Sequence, residues 1–358
     1  MAGVFEIADG FIDTVAKHHP TSATYMGVSG HDHLMNDYSP EGAEVFHAES
    51  LSALKAMEAV EPTNERERIC KDTFIDEASL SHEQFESREH LRDMNVLFSP
   101  VQSIRSVFDL MPQDSVEAWE NIASRMEKIG GALAGYRETL DIGRAEGLVT
   151  SERQVTGTAE QCEAWAGGGD NSPFFDSLVN ALATSDINND SLSTRIEYAS
   201  ASATEAYDKM AVYLRESYLP HATSVDGVGR DRYVLFAKGY LGAEIDPRET
   251  YEWGWEQLEW VWSEMTKTAE RIKPGASIGE VVELLETDPA KMIQGEDNFR
   301  QWMQDLQDKT IEEMNGVHFD ILDPVRKIEA LISPPGGALA MYYTGPSEDF
   351  SRPGRTWY

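Results

Sequence analysis

The chain has 358 residues, with 30 Lys+Arg against 63 Asp+Glu and a formal net charge of −33. That length can bury a substantial core, as one large domain or about two to three smaller ones. A negative field of this size, spread along the chain instead of gathered in a tail, repels phosphate backbones and anionic lipid, and so argues against nucleic-acid and membrane-surface partners.

Most of the chain reads as helix. Phe5, Ala8, Ile12 and Val15 fall at helical spacing, and Pro20 is expected to close that segment. Pro40 and Glu41 open a second helix that runs through Leu51 and Leu54 to about Val60. Pro62 starts a third, predicted to run towards Leu97. Asp114-Ser115 cap an amphipathic helix carrying Val116, Trp119, Ile122, Met126, Ile129 and Leu133. The Gly167–Pro173 loop is the clearest break, expected to separate an N-terminal helical lobe, 1–170, from a helical region ending in a small sheet, 171–358, within one continuous domain. A long helix follows from about Ser191 to Tyr218. Asp246-Pro247 then opens the most strongly helical segment, ended by Pro274-Gly275. Its Tyr251, Trp255, Leu258 and Trp262 lie at i, i+4, i+7 and i+11 and form one aromatic stripe, expected to pack against neighbouring helices. After Gly316 the pattern changes. Ile328, Ala330 and Ile332 alternate with other residues, and Ala338–Tyr343 reads as a second strand after the Pro334-Pro335-Gly336-Gly337 turn. The expected fold is mainly α, with a small β-sheet near the C-terminus.

Cys70 and Cys162 are far apart and outside any C-x-x-C spacing, so they read as reduced thiols. Glu6, Asp9 and Asp13 interrupt the apolar run that a signal peptide needs, and the expected location is the cytoplasm.

Zinc hydrolases on helical scaffolds need two imidazoles one turn apart, with a glutamate base beside the first. The nine histidines, at 18, 19, 31, 33, 47, 82, 90, 221 and 318, include no pair four apart. His82, Glu86 and His90 lie at i, i+4 and i+8 and make a weak metal candidate, and His31-Asp32-His33 is a second. Blander readings are a solvated polar helix face for the first and a hydrogen-bonded turn for the second. There is no G-x-S-x-G elbow. Gly227-Val-Gly229 lacks the third glycine of a dinucleotide fingerprint. The residues assemble no complete active site.

Several segments together resemble one bacterial family, known as domain of unknown function 885. They are Pro20–Gly27, His31-Asp32, Asn36–Ser39, Asp226–Tyr233, Leu241–Pro247, Glu249–Trp255, His318–Asp320, Pro334–Gly337, Tyr342-Tyr343 and, most specifically, Ser347–Arg355. The family's fold is similar to that of the helical zinc carboxypeptidases of peptidase family 32. The resemblance therefore implies a metallopeptidase-like framework and a zinc ion in complete members. It places the H-E-x-x-H helix after the segment matching Ser347–Tyr358, so that this chain matches the N-terminal two-thirds and holds no catalytic residue or cofactor of its own.

On that basis the chain is expected to be the N-terminal portion of a zinc-dependent peptidase-like hydrolase, inactive alone. The alternative is a non-catalytic helical protein that binds peptides or a partner chain. Tyr342, Tyr343, Glu348, Asp349, Arg352 and Arg355 are the candidate substrate-cleft residues, since Arg offers a planar fork for a carboxylate. The strand over 338–343, or its neighbour, would pair with a peptide backbone. The expected partners are a peptide substrate, a complementary C-terminal segment, or a second copy of the chain. Without such a partner, apolar strips that include the 338–343 strand and the 251–262 stripe would be left uncovered.

Overall fold

A computed structural model describes residues 3–333 and 341–358. The chain forms two compact units, 1–228 with 345–352, and 229–344 with 353–358. The division falls after Val228 and not at the Gly167–Pro173 loop, because one core runs across that loop from Met94 to Tyr218.

The first unit is all helix. α1 (Val4–His18) is followed by α2 (Pro20–Met26), so Pro20 opens a helix as well as ending one. Proline costs nothing at a first helical position, where its missing N–H has no intrahelical partner. Gly27 closes α2 in the left-handed conformation, φ 77°. α3 (Pro40–Ala59) is capped by Ser39, whose side chain accepts from the Gly42 N–H. α4 (Glu65–Glu86) is capped by Asn64 and stops well short of Leu97, where the chain turns through left-handed Arg88 (φ 60°). Phe11 of α1 packs edge-on to Phe74 of α4 and stacks with Phe46 of α3, tying these three helices together.

α5 (Pro100–Ser106) leads to α6 (Val116–Met126) and α7 (Ile129–Ala145). The single helix expected over 116–133 is therefore two, broken at Glu127-Lys128. α8 (Glu152–Trp165), α9 (Asp176–Ala183) and α10 (Asp190–Tyr213) complete the unit, and a π-helical turn extends α10 through Tyr218. α10 packs against α6, α7, α8 and α9. Its Ile196, Ala203, Tyr207, Met210 and Leu214 meet Trp119, Ile122, Leu133, Val155 and Phe175 in the core. The Tyr207 hydroxyl donates to the Val101 carbonyl at 2.9 Å, so the buried phenol is satisfied.

Within this core Arg125 of α6 is fully buried. It donates to the carbonyls of Leu34 (2.8 Å), His31 (3.0 Å) and Pro20 (3.3 Å) and to Thr24 Oγ1 (2.9 Å). One guanidinium thus ties the 20–34 segment together through four oxygens. Burial pulls its pKa down to about 10, opposed by Asp32.

The second unit contains α11 (Arg230–Leu241), α12 (Pro247–Ile272), α13 (Ile278–Thr287), α14 (Glu296–Met314) and the one-turn α15 (Asp323–Arg326). Asp246 caps α12 by accepting from the Arg248 and Glu249 N–H groups, with Pro247 at the first position. The sheet is β1 (Ile328–Leu331), β2 (Tyr342–Thr344) and β3 (Gly354–Trp357) in the order β1-β3-β2, with β1 parallel and β2 antiparallel to β3. Gln304 of α14 closes the outer side of β1, donating to the Ile328 carbonyl and accepting from the Ala330 N–H, both at 2.8 Å. The mainly helical fold with a small sheet after Gly316 is as expected. Residues 334–340, and with them the Pro-Pro-Gly-Gly turn and the start of the expected 338–343 strand, lie outside the described residues.

The aromatic stripe of α12 does not pack into a core. Tyr251, Trp255, Leu258 and Trp262 are 51 to 65% exposed, and Trp253 and Trp260 on the opposite side of the helix are exposed as well. α12 packs against α13. The buried apolar residues among those described in this unit are Ala269, Val281, Ala330 and Trp357.

Candidate functional site

The six residues expected to line a cleft divide three and three between the units. In the first, Ser347–Arg352 is a closed loop built on Asp349. Its carboxylate accepts from Ser347 Oγ (2.6 Å), Ser351 Oγ (2.8 Å) and Ser351 N–H (3.0 Å), and these bonds, the Ser347 hydroxyl first, hold its pKa down at about 2. The Arg352 N–H donates to Ser347 Oγ, and its guanidinium reaches the Tyr25 carbonyl at 3.4 Å. A side chain at Gly27 would stand 2.6 Å from the Ser347 Cα, so the loop lies directly on the end of α2. Glu348 is exposed.

The other three belong to the sheet of the second unit. Arg355 pairs with Glu329, its directly opposite residue on β1, at 2.9 Å, and not with Glu348 or Asp349. Tyr342 stacks on Trp357, with ring centroids 5.8 Å apart. Tyr343 is exposed and its hydroxyl lies over Gly354, where a Cβ would collide with it. β2 is an edge strand of the sheet, the position from which a strand can pair with an added peptide.

His31-Asp32-His33 is built into the fold by its backbone and its carboxylate. The His31 carbonyl accepts from Arg125 and Asp32 accepts from Thr24 Oγ1 at 2.6 Å. His33 borders a wide, open depression of about 600 Å³ shared with Val116, Glu117, Glu120, Asn121 and Ser124.

His82 and Glu86 share one face of α4, as their spacing requires, but α4 ends at Glu86 and His90 falls on the turn after it. The residue that joins them is His47, from α3. His47 Nε2 lies 3.3 Å from His82 Nδ1 and 3.8 Å from Glu86 Oε1, and one ligand atom from each of the three lies within 4.8 Å of the others. Among the described residues this is the one such grouping of three metal-ligating side chains. His90 instead stacks on Phe85, at 4.3 Å, and Phe85 stacks on His47 at 3.8 Å. Burial and the neighbouring His82 lower the His47 pKa, against the pull of Glu86. Spacing along one helix misses His47, which lies 35 residues from His82 on another helix. Its signal is the helical hairpin itself, which folded at its 60–64 loop brings 47 to within about a turn of 82.

Comparison with known proteins fits this architecture. Residues 20–358 match the model of a family described as "Bacterial protein of unknown function (DUF885)". The chain belongs to that family. No curated protein matches it. Two solved structures share its fold over the whole chain. One is described as "the putative lipoprotein from Colwellia psychrerythraea", at 17% identity and TM-score 0.80. The other is "a putative lipoprotein of unknown function from Shewanella oneidensis", at 16% and 0.64. This DUF885 chain spans 67% and 64% of the lengths of those two. Both are described as putative lipoproteins. No helix among the described residues is long and apolar enough to cross a membrane.

Proposed function

We propose that this chain is a helical binding framework whose second unit is completed by a complementary amphipathic helical segment laid against α12, and that it hydrolyses no peptide by itself. The observation that carries this reading is the exposed aromatic surface of α12. Five aromatics, Tyr251, Trp253, Trp255, Trp260 and Trp262, are 52 to 65% exposed. At roughly 200 Å² each they present on the order of 600 Å² of apolar surface, divided between the two sides of one helix. A helix with apolar residues on opposite sides is normally enclosed by others.

The chemistry of the occupant follows from the helix. α12 carries six Glu against three Arg+Lys, so a partner with an apolar face rimmed by Lys and Arg complements it. This chain spans 67% and 64% of the two matched structures, and a segment equivalent to the remainder of either is the occupant proposed. The H-E-x-x-H zinc site that the family resemblance implies finds no fit among these residues. No two histidines stand four apart, and position 86, where His82-Glu83 would need its second histidine, is Glu86.

Sedimentation velocity and acrylamide quenching of tryptophan emission test the proposal, on the chain alone and coexpressed with the remainder segment of the Colwellia protein. The expected result is quenchable tryptophan and concentration-dependent association alone, and protection with a defined complex on coexpression. A monomer with shielded tryptophans, or peptide hydrolysis by the chain alone that a chelator abolishes, overturns it.

A further inference from the structure

We propose that His47, His82 and Glu86 form a binding site for one divalent transition-metal ion of the zinc, cobalt and nickel class, bridging α3 and α4. Nothing in this depends on the reading of α12, since all three residues belong to the first unit.

The donor set is two imidazoles and a carboxylate, which suits these borderline ions and not magnesium or calcium, whose ligands are all oxygen. Spacing agrees with it. Metal–nitrogen bonds of about 2.0–2.1 Å put neighbouring ligands of a tetrahedral centre roughly 3.4 Å apart. Here His47 Nε2 lies 3.3 Å from His82 Nδ1 and 3.8 Å from Glu86 Oε1. All three atoms fall within 4.8 Å of one another. The longest of these separations closes by a rotation of Glu86, whose side chain is 65% exposed and unconstrained by packing.

The imidazoles are held in advance. His47 is only 15% exposed, and its ring lies between Phe85 at 3.8 Å and His82 at 5.1 Å, nearly parallel to both. His90 covers the other face of Phe85, so a four-ring stack fixes the orientation of His47. A ligand whose rotamer is set by packing loses little entropy on binding. His82 and Glu86, one turn apart on α4, supply the other two donors from a rigid element. Three protein ligands, one of them an exposed carboxylate, leave at least one coordination position for water, as in sites that exchange ligands and unlike closed four-ligand structural zinc sites.

The competing account of the 3.3 Å contact is a proton shared between two histidines with no metal. Titration of the metal-free full chain with cobalt chloride, followed by visible absorption and calorimetry, separates the two. The expected result is one Co²⁺ per chain with a ligand-field spectrum of low coordination number, displaced by zinc. His47→Ala and, separately, Glu86→Gln should each weaken binding by about tenfold to a hundredfold or more. Glu86→Gln is at an exposed position and leaves the fold intact, so its result stands if His47→Ala proves unstable. His90→Ala should retain the spectrum and the stoichiometry. No stoichiometric binding, binding unchanged by Glu86→Gln, or binding lost equally in His90→Ala overturns the assignment.

Discussion

Tryptophan meets opposite fates on α6 of the first unit and α12 of the second. Trp119 on α6 is 1% exposed and donates its indole N–H to the Gln113 carbonyl at 3.0 Å. Trp253, Trp255, Trp260 and Trp262 on α12 are 52 to 62% exposed. The side chains have the same area to remove from water, so the difference lies in what surrounds them. α6 faces α10, which itself packs on α7, α8 and α9, and Trp119 is enclosed among them. α12 is capped by Asp246 as α6 is by Ser115, yet along it only Ala269 is buried. Good helix signals specify a helix, and only an opposing surface specifies a core.

The sharpest way to break this comparison is to empty the first core. Trp119→Ala should destabilise the first unit by about 3–5 kcal/mol, the cost of a cavity at a fully packed site. Urea denaturation followed by far-ultraviolet circular dichroism checks it. A loss under about 1 kcal/mol would mean that the helices around Trp119 are not packed as described.

A smaller effect of the same origin concerns His19, whose ring lies tilted against that of Phe46 with centroids 4.1 Å apart. Burial, and then His18, lower its pKa from 6.5 to about 4. The folded state therefore binds the proton less well than the unfolded chain does. The stability tied to neutral His19 is complete above pH 6.5 and is lost as pH falls through 4, by about 1–3 kcal/mol. His19→Phe keeps a ring against Phe46 and has no proton to bind. It should lose less stability than the parent between about pH 7 and 4.5, and equal losses would show that His19 titrates normally in the fold.

How much of this is legible in the residues varies by cause. Helix starts are clear where a cap and a proline coincide, at Ser39-Pro40 and at Asp246-Pro247, because each acts within a few residues. Pro20 reads as a stop alone, although the same ring both ends α1 and begins α2. The break at Glu127-Lys128 carries no proline or glycine and leaves the 116–133 pattern continuous. Asp323-Pro324 opens a single helical turn, and the alternation from Ile328 follows it as a strand. The α12 stripe is visible as a face, but periodicity reports which side chains share a side and not what covers them. For the same reason spacing pairs His82 with Glu86, while finding His47 requires the register between two helices. The acids nearest Arg355 in sequence are not its partners, since Glu329 is set opposite it by strand register 26 residues away.

The smallest expected change in stability sharpens the comparison most. Trp260→Ser removes an indole as large as that of Trp119, but from a side chain 61% exposed. No cavity forms and no packed neighbour loses its contacts, so the chain alone, held dilute enough to suppress association, should change by no more than about 0.5 kcal/mol. The same substitution deletes part of the surface offered to a complementary helix, and buried tryptophans dominate interfaces, at about 2 kcal/mol or more each. Binding of the proposed segment should therefore weaken about thirtyfold or more, by the same conversion of free energy into affinity. Urea denaturation and calorimetric titration on one variant give both numbers. A stability loss as large as that of Trp119→Ala would show that α12 is already enclosed in solution. Unchanged stability with unchanged binding would remove Trp260 from the docking face and leave the opposite stripe of Tyr251, Trp255, Leu258 and Trp262 to carry it.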